Sequence, residues 1–192
     1  DVLAAGTMPP GVGVVVAGNV VTLSGTASLA AYQTALRAIT FSSTSENPST
    51  AARTISVVVN DGAANSNTAV STIAVVAVND PPVFTGTAGG VTFIENGAAV
   101  ALVSGAAVSD LDAANFDGGS VTVSLAAYQA GDVLSINHQG SGAGQIGVSG
   151  TNVQYGGTTF GTFAGGTAAN LVISLNASAT SAAVQALMGQ LR

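Results

Sequence analysis

The sequence contains no cysteine, no tryptophan and no lysine. Without cysteine there are no disulfides, no thiolate metal sites and no cysteine nucleophile, so stiffening of an extracellular chain would fall to packing or to metal ions, Ca2+ being the natural candidate. Positive charge is confined to Arg37, Arg53 and Arg192 against nine acids, a net charge of -6. Nucleic acid is excluded as a partner on that balance. The single histidine, His138, lies in the turn-like Asn137-His138-Gln139-Gly140. It offers neither a multi-histidine metal centre nor a general base in a recurring motif. Asp110 and Asp117 are spaced for paired-carboxylate hydrolysis, but aromatic residues to line a sugar cleft are scarce. The glycine-rich stretch 140–150 lacks the lysine and the following helix of a phosphate-binding loop. The chain is expected not to be an enzyme. No apolar run reaches membrane-spanning length and no leader is legible at Asp1, so no membrane insertion is expected in this segment.

What remains is rich in Ala and Val, with 25 Gly, six Phe and three Tyr. That mixture suits thin strands joined by many turns and predicts an all-β fold. In the first part, β-branched runs at 12–16, 20–23, 38–42, 52–60 and 68–78 are bounded by Gly, Asn or Pro. Ser28 opens a different pattern, with Leu29, Tyr32 and Leu36 at helical spacing, which predicts a short helix. The run Val78-Asn79-Asp80-Pro81-Pro82-Val83 ends a strand and fixes an extended connection, giving modules 1–80 and 81–192. Strand signals resume at 91–94, 99–102, 120–126, 133–136, 145–148, 152–155, 158–163 and 170–175. Short strands at this spacing predict β-sandwiches.

The chain also repeats itself. Residues 175–185 (LNASATSAAVQ) align with 23–33 (LSGTASLAAYQ) at an offset of 152, the distance from Leu23 to Leu175, and Asp132-Val133-Leu134 echoes Asp1-Val2-Leu3. The second copy thus carries about 21 extra residues between these anchors. On this alignment the first module is the C-terminal part of a repeat and the second the N-terminal part of the next. Two readings fit: a window from a longer array, or modules completed by strands of neighbouring chains.

Six acids, Asp61, Asp80, Glu95, Asp110, Asp112 and Asp117, fall in turn or linker contexts. The densest run, Ser109 to Gly119, holds Asp110, Asp112 and Asp117 with Asn115 and no basic residue, so its carboxylates repel one another unless a cation joins them. Oxygen ligands on alternate loop residues suit calcium. The spacing is not that of an EF-hand, because Ala114, Asn115 and Val121 stand where that loop needs an oxygen ligand, a glycine and a closing glutamate. The competing reading is that Asp and Asn simply cap turns. Glu95-Asn96-Gly97 fits a hairpin turn equally well, while a strand at 91–94 would deliver Glu95 toward Asp110 and Asp112, where Asn79 and Asp80 could meet the same ion.

The motifs Val59-Asn60-Asp61-Gly62, Val78-Asn79-Asp80-Pro81-Pro82-Val83, Phe93-Ile94-Glu95-Asn96-Gly97, Val108-Ser109-Asp110-Leu111-Asp112, Asn115-Phe116-Asp117-Gly118-Gly119 and Gly144-Gln145-Ile146-Gly147-Val148 together resemble the tandem cadherin-like repeats of giant bacterial surface proteins and adhesins. The resemblance implies two consecutive immunoglobulin-like Greek-key sandwiches, each with a short helical turn. It implies calcium held by Glu95, Asp110, Asp112, Asn79 and Asp80, with Asn115 and Asp117 serving the same or a second ion and Asp61 a weaker candidate. The linker is poorer in acids than the family pattern, so one or two ions are expected. The implied protein is secreted, extracellular or cell-surface. Its role is a calcium-stiffened stalk or, alternatively, a self-assembling filament, sheath or surface-layer subunit. Its partners would be neighbouring repeats, identical chains, or a cell-surface or carbohydrate ligand, with Tyr32, Tyr128 and Tyr155 as stacking faces.

Overall fold

The computed structural model describes residues 1–87 and 90–192. The chain divides into two compact units, Asp1–Val78 and Asn79–Arg192, which part at the Asn-Asp-Pro-Pro linker. Among the described residues there are five antiparallel sheets, none closed into a barrel, and two helices. The fold is mainly β, as the Val- and Thr-rich runs dictate.

In the first unit β1 (Val2–Ala5) pairs with β4 (Ile39–Ser42), β2 (Gly13–Ala17) forms a hairpin with β3 (Val20–Ser24), and β5 (Arg53–Val57) forms another with β6 (Ala69–Ile73). The β2–β3 connection is the two-residue loop Gly18-Asn19. Gly18 has φ 56°, the left-handed conformation that the first residue of such a loop needs and that glycine adopts without steric cost. Between β3 and β4 runs α1 (Leu29–Arg37). Only Val12 and Ala35 are buried apolar residues in this unit.

The second unit opens with β7 (Val83–Thr87) against β8 (Ser104–Ser109). It continues with β9 (Ser120–Val123), β10 (Ile146–Ser149), β11 (Asn152–Tyr155), β12 (Thr158–Gly165) and β13 (Leu171–Leu175), which form one sheet in the order β10-β11-β12-β13-β9. The helix α2 (Ser181–Met188) follows. The core is here: Ile146, Val153, Phe160, Leu171, Ile173 and Leu187 are each 0 or 1 % exposed. Alternation along β13 turns Leu171, Ile173 and Leu175 inward and Ser174 out, the period-two pattern of a strand with one covered face.

The sequence repeat is reproduced hydrogen bond by hydrogen bond. Ser28 caps α1 by accepting the Ala31 N–H at 3.2 Å, and Thr180, 152 residues on, caps α2 by accepting the Ala183 N–H at 3.2 Å. Ala5 opposes Ile39 in the β1–β4 ladder, and Ile136 opposes Leu191 in the second unit. The Gly6 N–H donates to the Ala38 carbonyl at 2.9 Å, and the Asn137 N–H to the Gln190 carbonyl at 2.8 Å. The surplus residues of the second copy include β10 and β11, a hairpin with no counterpart between β1 and β2. Two equivalent caps give a paired expectation. Ser28→Ala and Thr180→Ala should each cost about 0.5–2 kcal/mol in urea unfolding, and either Asp replacement should restore the loss.

The strand expectations at 91–94 and 99–102 are not met. The first segment ends in a turn where the Gly97 N–H donates to the Ile94 carbonyl at 2.8 Å, and the pairing falls instead to β7 and β8. At 133–136 the chain forms only isolated bridges, through Val133 and Ile136. The 68–78 run keeps its ladder only through Ile73, because its partner β5 begins at Arg53, which opposes Ile73. No described helix is long and apolar enough to cross a membrane.

Candidate cation site at the linker

The β7–β8 ladder assembles the acids of the second unit. Val83 opposes Ser109, so the chain entering β7 runs beside the chain leaving β8, and the same antiparallel register carried three residues outward sets Asp80 against Asp112. The Asp80 N–H donates to Asp112 Oδ2 at 3.0 Å. Asp110 Oδ1 accepts the Asp112 N–H at 3.2 Å and the Ala113 N–H at 2.9 Å, the local turn an aspartate makes with the backbone ahead of it. The proline pair at 81–82 holds the entering strand extended. Asp80, Pro81, Val83, Ser109, Asp110 and Leu111 line a hollow of about 320 Å³.

One atom here stands out: Asp112 Oδ1 is buried and accepts no hydrogen bond among the described residues. A buried carboxylate oxygen left unsatisfied is costly, and the natural remedies are a cation or a proton. The Ala113 N–H holds the Asp110 carboxyl below its usual range. Burial opposes that effect, and the Asp112 side chain and its backbone N–H add to the lowering. Asp110 is therefore an anion at neutral pH beside the Asp112 carboxyl group, with no cationic side chain among the residues that line the hollow.

The remaining expected ligands are distributed differently. Asn79, in the linker just ahead of Asp80, donates its side-chain N–H to the Asp80 carbonyl at 2.8 Å. Asn115 Oδ1 accepts the Asp117 N–H at 3.1 Å, and the Phe116 N–H between them is tied to the Ala179 carbonyl at 2.9 Å, so this loop is pinned to the start of α2 with the Asp117 side chain exposed. Glu95 stands exposed on the Ile94–Gly97 turn, followed by Asn96 at φ 62°. Among the described residues no three acidic or histidine side chains converge as a ready-made metal-holding group. What does meet is the Asp80 backbone N–H with the Asp112 carboxyl, and the Asp112 backbone N–H with the Asp110 carboxyl. Val83 and Ser109, which fix that meeting, were absent from the expected ligand set. The β-branched and aromatic run Val83-Phe84-Thr85 just after the prolines is the signal that marks β7.

Asp61 lies in the first unit, where Oδ1 accepts the N–H groups of Ala63 at 2.9 Å and Ala64 at 2.8 Å. The Ala64 N–H, then the Ala63 N–H, holds its carboxyl pKa below the ordinary 3.8. A carboxylate whose folded value is depressed adds stability above the unfolded value and loses it as pH falls through the folded one. In EDTA, the urea midpoint of the first unit should therefore hold steady down to about pH 4 and fall below it. Asp61→Asn should flatten that acid limb.

His138 is structural: its Nδ1 accepts the Val148 N–H at 2.9 Å, which ties the turn to β10. Tyr32 donates its hydroxyl to the Gly25 carbonyl at 2.7 Å and is half-buried on α1. Tyr155 lines a second hollow with Gln139, Gln185 and Gln190. No protein-family model matches the chain, and neither a curated protein nor a solved structure matches it.

Proposed function

We propose that this chain is a calcium-stiffened structural or adhesive repeat segment of a secreted bacterial surface protein, built from cadherin-like modules and without catalytic activity. The observation that carries the reading is the buried, unpartnered Asp112 Oδ1, set beside Asp110 and against the linker residue Asp80. A hard cation satisfies that oxygen and removes the repulsion between the two carboxylates. Asp112, Asp110 and Asp80 would hold it, with Asn79 at the margin. An ion there ties the linker to the loop that follows β8, so the connection loses freedom, which is what a stalk under load requires. Asn115 and Asp117 would serve the same ion or a second one. Thermal unfolding in EDTA and in millimolar calcium tests the reading, a rise in the calcium arm being the expected result.

The filament reading, with modules completed by other chains, draws on the first unit. Val2, Val15, Val20, Leu29, Val70 and Val76 are exposed there, and its buried core is small. Apolar side chains left in water over one unit suit an assembling surface.

A further inference from the structure

The two copies of the repeat differ in one respect that their own sequences do not explain. In the second unit β13 has a strand on each side: β12 on one edge and β9 on the other. Its counterpart in the first unit, β3, has β2 on the equivalent inner edge and, among the described residues, no strand on the outer one. At the offset of 152, Val21 and Leu23 occupy the places of Ile173 and Leu175 and face the same way along their strand. Ile173 is 0 % and Leu175 8 % exposed, whereas Val21 and Leu23 are only half-buried. The helices repeat the contrast, with Ala183 and Val184 buried where Ala31 and Tyr32 are half-buried. In the second copy a further segment covers this edge. Segment 116–123 runs along β13, with Val121 opposite Ile173 and Ser120 opposite Ser174, the Leu175 N–H donates to the Gly119 carbonyl at 2.9 Å, and β8 packs against α2.

We infer that the outer edge of β3 accepts an added antiparallel strand, and that its occupant is a segment of the 116–123 type from a further repeat of this kind. The inference rests on the repeat reading above and not on calcium. The repeat also fixes the register: Val121 of such a segment lies opposite Val21, Ser120 opposite Thr22 and Thr122 opposite Val20. Its valine then covers Val21, and its Ser and Thr turn to water with Thr22. The β9 strand of a second copy is a poor source. Withdrawing it from β13 uncovers Ile173 and Leu175 to the extent that it covers Val21 and Leu23, with no net burial.

The absence of cysteine makes the register directly testable. A synthetic peptide of residues 113–126 carrying Ser120→Cys is mixed, in EDTA and under mild oxidation, with the full chain carrying Thr22→Cys, an exposed position. A disulfide with this peptide, and little with a peptide carrying Thr122→Cys in place of Ser120→Cys, is the expected result. In the unsubstituted chain the same peptide should slow exchange of β3 amides by on the order of tenfold or more, and Val121→Asp in the peptide should remove the effect. Equal trapping of both peptides together with unchanged β3 exchange would overturn the proposal. So would spontaneous disulfide dimers of a chain carrying both Thr22→Cys and Ser120→Cys, which would make the occupant a second copy. Because calcium is chelated throughout, failure here leaves the cation site untouched, and an absent calcium response leaves the strand acceptor untouched.

Discussion

Millimolar calcium should raise the thermal midpoint of the second unit by roughly 10 °C, and EDTA should return it. The size follows from mass action: an ion present at about a hundred times its dissociation constant stabilises the native state by about 2.7 kcal/mol, and each kcal/mol moves the midpoint of a domain this size by several degrees. The informative variant is Asp112→Asn. In calcium it loses the shift, because the buried oxygen no longer carries charge. In EDTA it is neutral or stabilising, because it removes the uncompensated carboxylate beside Asp110. That reversal of sign between the two buffers distinguishes a cation ligand from a turn-forming aspartate, whose loss would cost the same in both. Differential scanning calorimetry of the two proteins in both buffers gives the comparison. A midpoint indifferent to calcium would return these acids to turn formation.

Leu187→Ala costs about 2–5 kcal/mol, all of it from the second unit. Leu187 is 0 % exposed at the centre of the cluster formed by Ile173, Phe160, Val153 and Ile146, which leaves few ways for the gap to close. Leu29→Ala, on α1, removes a side chain that is 85 % exposed and shifts stability by no more than about 0.5 kcal/mol. Chemical denaturation followed by residue-resolved NMR separates the units. The first, with only Val12 and Ala35 buried, loses its amide signals at lower urea, and the Leu187 variant brings the second unit toward it.

The pieces of the fold legible in the sequence are those written in local chemistry. Ser28 with Leu29, Tyr32 and Leu36 at helical spacing marks α1, and the prolines at 81–82 mark the division between units. The offset that aligned Leu23 with Leu175 also aligned two caps and a strand ladder. The strand β8, Ser-Gly-Ala-Ala-Val-Ser, escaped notice because small residues give it little intrinsic strand preference. It is held extended by pairing with β7, a tertiary effect. The site inherited that blind spot. Asp110 and Asp112 stand out as an acidic loop, but the meeting of Asp80 with Asp112 depends on the β7–β8 register, and the route expected for Glu95 depended on a strand that does not form.

The order of strands in the large sheet has a consequence for how the second unit folds. From β10 to β13 each strand is joined to its neighbour in sequence, so every pairing closes a short loop. The strand β9 must instead find β13 across the whole stretch between Val123 and Leu171, a closure whose entropic cost is met only after the meander exists. Any refolding species that precedes this closure leaves β13 a bare edge like that of β3. Neither strand carries a charged side chain or any other device that keeps edges apart. During that interval dilution, rather than electrostatic repulsion, keeps separate copies from sharing strands.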